Sequence, residues 1–103
     1  MLPFVPWTRT PASTAGGAAA AVRDLASGNP RTVARALDSL YRDEAPRVYR
    51  YALALCGNAA WAADATQEAF VALALRPQGF DPGKGALGAY LAGMARHTLA
   101  AHW

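Results

Sequence analysis

Cysteine is almost missing from this chain of 103 residues, since Cys56 stands alone. A single thiol excludes a disulfide framework and a cysteine-rich zinc site, and it suits a reducing compartment. Histidine is scarce as well. His97 and His102 are spaced i, i+5, so they do not share a helical face as a metal-binding i, i+4 pair would. The sequence contains no HExxH, phosphate-binding P-loop, GxGxxG or GxSxG pattern. Neither a catalytic centre nor a metal or cofactor site is expected, and the chain is read as a non-enzyme. Charged residues make up only 17%, with a net charge of +3. That is mildly basic, short of the charge density with which a protein grips nucleic acid unaided. No apolar run approaches the roughly 20 residues that cross a bilayer. The opening residues also lack a signal-peptide pattern, because prolines come first and Arg9 comes late. A cytoplasmic chain without a membrane partner is the expectation.

What is present is alanine, within a hydrophobic fraction of 53%. Alanine is the strongest helix former but buries little area, so Leu, Val, Phe, Tyr and Trp must supply most of the packing. Residues 1–17 hold Pro3, Pro6, Pro11, Gly16 and Gly17 and read as a flexible tail, with Phe4 and Trp7 as chance aromatics. A first helix is expected over 18–27, carrying Val22 and Leu25. A second runs over 31–56 on a stripe of Val33, Leu37, Leu40, Tyr41, Val48, Tyr51, Ala52 and Leu55. Pro46 predicts a kink or break near 43–46, with Asp43 and Glu44 suited to a new helix start. A third helix opens on Asn58 and ends near 75, before Pro77 and Gly79. A fourth follows the turn 80–85 on Leu87, Tyr90, Leu91, Met94, Ala95, Thr98 and Leu99. No segment alternates as a strand does. The expected fold is all-α, a small orthogonal bundle of about four helices in one domain over 18–103.

The third helix carries two stripes. Ala62, Ala65, Ala69, Phe70 and Leu73 form a core face. Asp64, Gln67, Glu68, Val71 and Leu75 form the other. Two carboxylates, an amide and two aliphatics together suit a basic, partly apolar partner helix. Cys56 reads as a small buried hydrophobe rather than a nucleophile. Phe80 is expected to plug the turn against the core. Trp61 is expected to be half-buried packing, and Tyr90 lies on the packing stripe of its helix.

The motifs have a family likeness. Asp64-Ala65-Thr66-Gln67-Glu68-Ala69-Phe70 resembles the D-x-x-Q-E-x-F signature of region 2.2 in extracytoplasmic-function (ECF) sigma factors of the sigma-70 family. Leu40-Tyr41-Arg42 and the run 45–52 resemble region 2.1. Phe80-Asp81-Pro82-Gly83-Lys84-Gly85-Ala86-Leu87 resembles the F-D-P-x-R/K-G-S-L turn of region 2.3, and Tyr90 to His97 the W-L-x-x-I-A-R-N run after it. The likeness covers about residues 19–103.

The resemblance implies a sigma factor domain that binds core RNA polymerase through the clamp helices of the β′ subunit. It also implies recognition of the −10 promoter element and capture of its non-template strand during transcription initiation. Asp64, Gln67, Glu68, Val71 and Leu75 would meet the polymerase. Lys84, Tyr90, Arg96 and His97 would meet DNA, with Gly83 and Gly85 allowing close backbone approach. An anti-sigma protein is a further partner that the family implies. The chain departs from the pattern at Ala72 and Ala74, where Arg and Trp are usual, and at Tyr90, His97 and Ala101. It stops at Trp103, before the region 4 helix-turn-helix. A sigma-like interaction module that binds polymerase or an anti-sigma protein without opening promoters is the alternative.

Overall fold

The computed structural model describes residues 11–101, with side-chain environments from residue 17 onward. Among the described residues four α-helices follow one another: α1 (Pro11–Leu25), α2 (Pro30–Cys56), α3 (Ala59–Leu75) and α4 (Leu87–Ala100). Two single 3-10 turns, Pro77–Gly79 and Pro82–Lys84, link α3 to α4. There is no strand among the described residues, so the all-α expectation holds.

Local chemistry sets most boundaries. The Asn29 side chain accepts hydrogen bonds from the Arg31 and Thr32 amides at 3.0 and 3.3 Å, and Pro30 opens α2 with its φ already helical. Gly57, at φ 65°, closes α2 by donating its amide to the Leu53 carbonyl at 2.8 Å. Asn58 then caps α3 through the Trp61 amide at 3.0 Å.

The structure departs from the sequence reading in three places. Helix α1 starts at Pro11, earlier than the expected residue 18. Pro11 is tolerated there because the first helical turn has no use for its missing N–H. The rest of the expected tail, residues 1–10, lies outside the described residues. Second, α2 runs unbroken through Pro46. The proline costs the Arg42 carbonyl its donor, but its ring is exposed, and Ala45 and Val48 on either side are buried and hold the turn in place. Third, Tyr41, Tyr51 and Leu55 of the expected α2 stripe are exposed rather than core. Tyr41 instead lays its ring edge on buried Phe70, with centroids 4.9 Å apart.

Leu73, Leu91, Leu99 and Val48 are the largest fully buried side chains. Ala52, Ala62, Ala65 and Ala95 are fully buried around them and let the helices approach closely. All five residues of the expected α3 core face are buried, and Phe80 plugs the turn as expected. Helix α3 packs against both α2 and α4, so its outward face lies between two helix-helix grooves.

Candidate interaction surfaces

The first groove, of about 560 Å³, lies between α2 and α3. Leu37 and Tyr41 line it from α2, and Gln67, Phe70, Val71 and Leu75 from α3. Val71 and Leu75 are 48% and 76% exposed, a degree of solvent contact unusual for aliphatic side chains that a fold could otherwise bury. Asp64 and Glu68 are exposed on the same face of α3, just outside the groove. The five residues expected to meet a protein partner therefore share one open surface, and three of them line one cavity.

The second groove, of about 450 Å³, separates α3 from α4. Its small floor includes Ala72, Ala89 and Gly93, and Glu68, Tyr90, Met94 and His97 surround it. A third hollow, of about 340 Å³, sits at the turn, where Phe80, Lys84, Gly85 and Tyr90 meet. Tyr90 borders both. Its ring leans on Phe80 with centroids 5.4 Å apart, and a Cβ on Gly79 would lie 2.8 Å from the Tyr90 hydroxyl. Gly79 is thus the residue that gives Tyr90 its seat. The turn is shaped by Asp81, whose carboxylate accepts the Gly83 amide at 2.9 Å. Lys84 and His97 are exposed, Tyr90 is half-buried, and Arg96 is exposed but lines none of these three hollows. The structure brings Lys84, Tyr90 and His97 along one edge and leaves Arg96 beside it. Glu68 faces this edge too, so it borders both surfaces.

The sequence reading missed one functional-looking group. Glu44 is buried, at 4% exposure, and does not open a new helix. Its carboxylate and the Arg47 guanidinium lie over Gly88 in the first turn of α4, where a Cβ would sit 2.9 Å from Glu44 Oε1. Burial raises the Glu44 pKa above its ordinary 4.5, against the lowering effect of Arg47 and with a small rise from Asp43. The signal was available: Glu44 stands four residues after Leu40 and four before Val48, on the buried row.

Cys56 is half-buried at the end of α2, with its Sγ donating to the Asn58 carbonyl at 3.4 Å. Trp61 is 41% exposed. Among the described residues no cluster of His, Cys, Asp and Glu could hold a metal ion, and no helix is long and apolar enough to cross a membrane. The three hollows are open grooves lined mainly by apolar surface.

The family model Sigma-70 region 2 matches residues 40–103. No curated protein and no solved structure matches the chain.

Proposed function

The chain belongs to the sigma-70 region 2 family, and from that premise we propose that it is a sigma factor domain of the ECF type, acting by binding rather than catalysis in the cytoplasm. Membership supports a role in polymerase binding and promoter recognition. The finer reading is that Asp64, Gln67 and Glu68, with Val71 and Leu75, dock on the β′ clamp helices. Lys84, Tyr90, Arg96 and His97 then meet the non-template strand of the −10 element. One observation carries this reading: a polar and aliphatic stripe stays exposed on α3, a helix otherwise packed on both sides.

The physical logic is that of an interface with apolar contacts at its centre and charges at its edge. Val71 and Leu75 lose water on docking, while the carboxylates steer and orient a basic partner. On the DNA side the charge is thin. Lys84 and Arg96 neutralise few phosphates, so binding by the chain alone is weak and steeply salt-dependent, with a log-log slope of about −0.7 per phosphate for a single strand. A base stacked on the Tyr90 or His97 ring adds about 1–3 kcal/mol.

The test is co-purification with core RNA polymerase. Asp64→Ala combined with Gln67→Ala abolishes it while helical circular dichroism is unchanged; retained co-purification removes the assignment. Anisotropy on −10-like single strands with core polymerase present examines the other edge. Lys84→Ala and His97→Ala each weaken binding if the promoter reading is right. The second reading, an interaction module that binds polymerase or an anti-sigma protein without opening DNA, is favoured by Ala72. This small residue stands where the family usually has Arg, on the floor of the α3–α4 groove. Unchanged affinity in both variants selects that module.

A further inference from the structure

Helix α4 contains two glycines, and the fold accounts for one of them. Gly88 is small because a Cβ there would lie 2.9 Å from Glu44 Oε1. A Cβ on Gly93 would meet no other described residue within 4 Å, and the backbone at Gly93 is ordinary helix. Glycine inside a helix is less favourable than alanine, since it adds backbone entropy to the unfolded chain. Neither the backbone nor the packing of this chain calls for a glycine at that position. Its surroundings are open as well. Ala89, Gly93, His97 and Ala100 are exposed and fall within about 80° of arc on α4. Beside them runs the α3–α4 groove of about 450 Å³, with Ala72 on its α3 wall. Glu68 lines that groove from α3 and His97 from α4, and both are exposed. One face therefore joins a small-residue floor, a carboxylate and an imidazole.

We propose that this face pairs two copies of the chain, α4 against an antiparallel α4, with the helices crossing near Gly93 and Glu68 of each copy set against His97 of the other. In a two-fold pair every contact occurs twice with the residues exchanged, so the face must complement itself. A face of one charge sign repels its own copy, whereas Glu68 and His97 offer each copy an acceptor and a cationic or donor group. The side chains at a crossing set the distance between helix axes, about 8–10 Å, and Ala89 and Gly93 permit the shorter end of that range. A contact of this size gives a reversible, concentration-dependent dimer. Tyr90 and His97 line the same groove, so pairing covers part of the edge proposed to meet DNA. The pairing itself does not depend on the DNA reading.

The experiment is sedimentation equilibrium of the full chain at low salt, from micromolar to millimolar concentration. The mass of the parent chain is expected to climb from monomer towards dimer across that range. Gly93→Gln places a better helix former where the chain leaves open space, so its melting temperature equals or exceeds that of the parent. The same variant obstructs the crossing and weakens pairing at least tenfold, a combination that damage to the fold cannot produce. Glu68→Lys and His97→Glu each weaken pairing, and the two together restore it, because the signs are exchanged across the two-fold axis. A parent chain that stays monomeric at every concentration overturns the proposal, and so does Gly93→Gln pairing within twofold of the parent. Loss in the single charge variants without recovery in the double variant refutes the contact between Glu68 and His97.

Discussion

The groove between α2 and α3 and the edge formed by α4 with its preceding turn are built in opposite ways. The groove is a surface left over by a well-packed scaffold: Leu75 is 76% exposed, and the core beneath it is closed by Ala69, Phe70 and Leu73. The α4 edge is itself part of the packing. Tyr90 is wedged between Phe80 and Gly79, and the first turn of α4 is held down where Glu44 and Arg47 cover Gly88. The exposed groove residues Gln67, Val71 and Leu75 can therefore change at little cost to the fold, whereas Tyr90 and Gly88 on the α4 side cannot. A binding residue that also packs is constrained twice, and its substitution mixes two effects.

Leu73 is fully buried on α3, the helix that packs against both α2 and α4, and its removal breaks the comparison most severely. Leu73→Ala is expected to destabilise the chain by about 2–5 kcal/mol, because a fully buried side chain leaves a cavity between α3 and its neighbours. Chemical denaturation should show it, and both surfaces should lose function together. Gly88→Ala touches only the α4 side. Its new Cβ meets the buried Glu44 carboxylate, which has little room to swing away, and a loss of about 1–3 kcal/mol is expected. Adding Glu44→Ala should recover part of that loss, and a cycle with no recovery would separate the two residues.

Glu44→Gln sharpens the same contrast through pH. Because burial raises the Glu44 pKa, the folded chain keeps a proton that the unfolded chain releases above 4.5. The parent chain's stability from this group is thus full below 4.5 and declines as pH rises through the raised value. The glutamine variant should lack that decline, visible as a flatter plot of melting temperature against pH. Leu75→Ala should have the smallest effect on folding, within about 0.5 kcal/mol, while weakening core polymerase binding. A large drop in melting temperature would mean that the groove is less open than the structure shows.

Much of this was readable in the residue order because helices announce themselves locally. Asn29, Pro30, Gly57 and Asn58 punctuate the chain through hydrogen bonds made within a few residues, so the limits of α2 and the start of α3 followed from chemistry at each site. The exposed stripe of α3 was equally legible, since steps of three and four residues over about two helical turns bring Asp64, Gln67, Glu68 and Val71 onto one face whatever lies around it. The start of α1 and the continuity of α2 through Pro46 were not. Whether Pro46 breaks a helix depends on the contacts of Ala45 and Val48, which no local rule contains. Tyr41, Tyr51 and Leu55 looked like core because they step at helical intervals. A helix of 27 residues meets different neighbours along its length, so no single stripe stays buried throughout.

Sequence alone therefore determined the helical class, the caps and the chemistry of the α3 face, all consequences of interactions over a few residues. Tertiary structure alone decided which elements cover Glu44, that Gly79 and Gly88 must be small, and that Tyr90 serves two hollows at once. Each of these depends on the approach of α4 to residues far away in the chain, and that approach is set by the fit of the whole core.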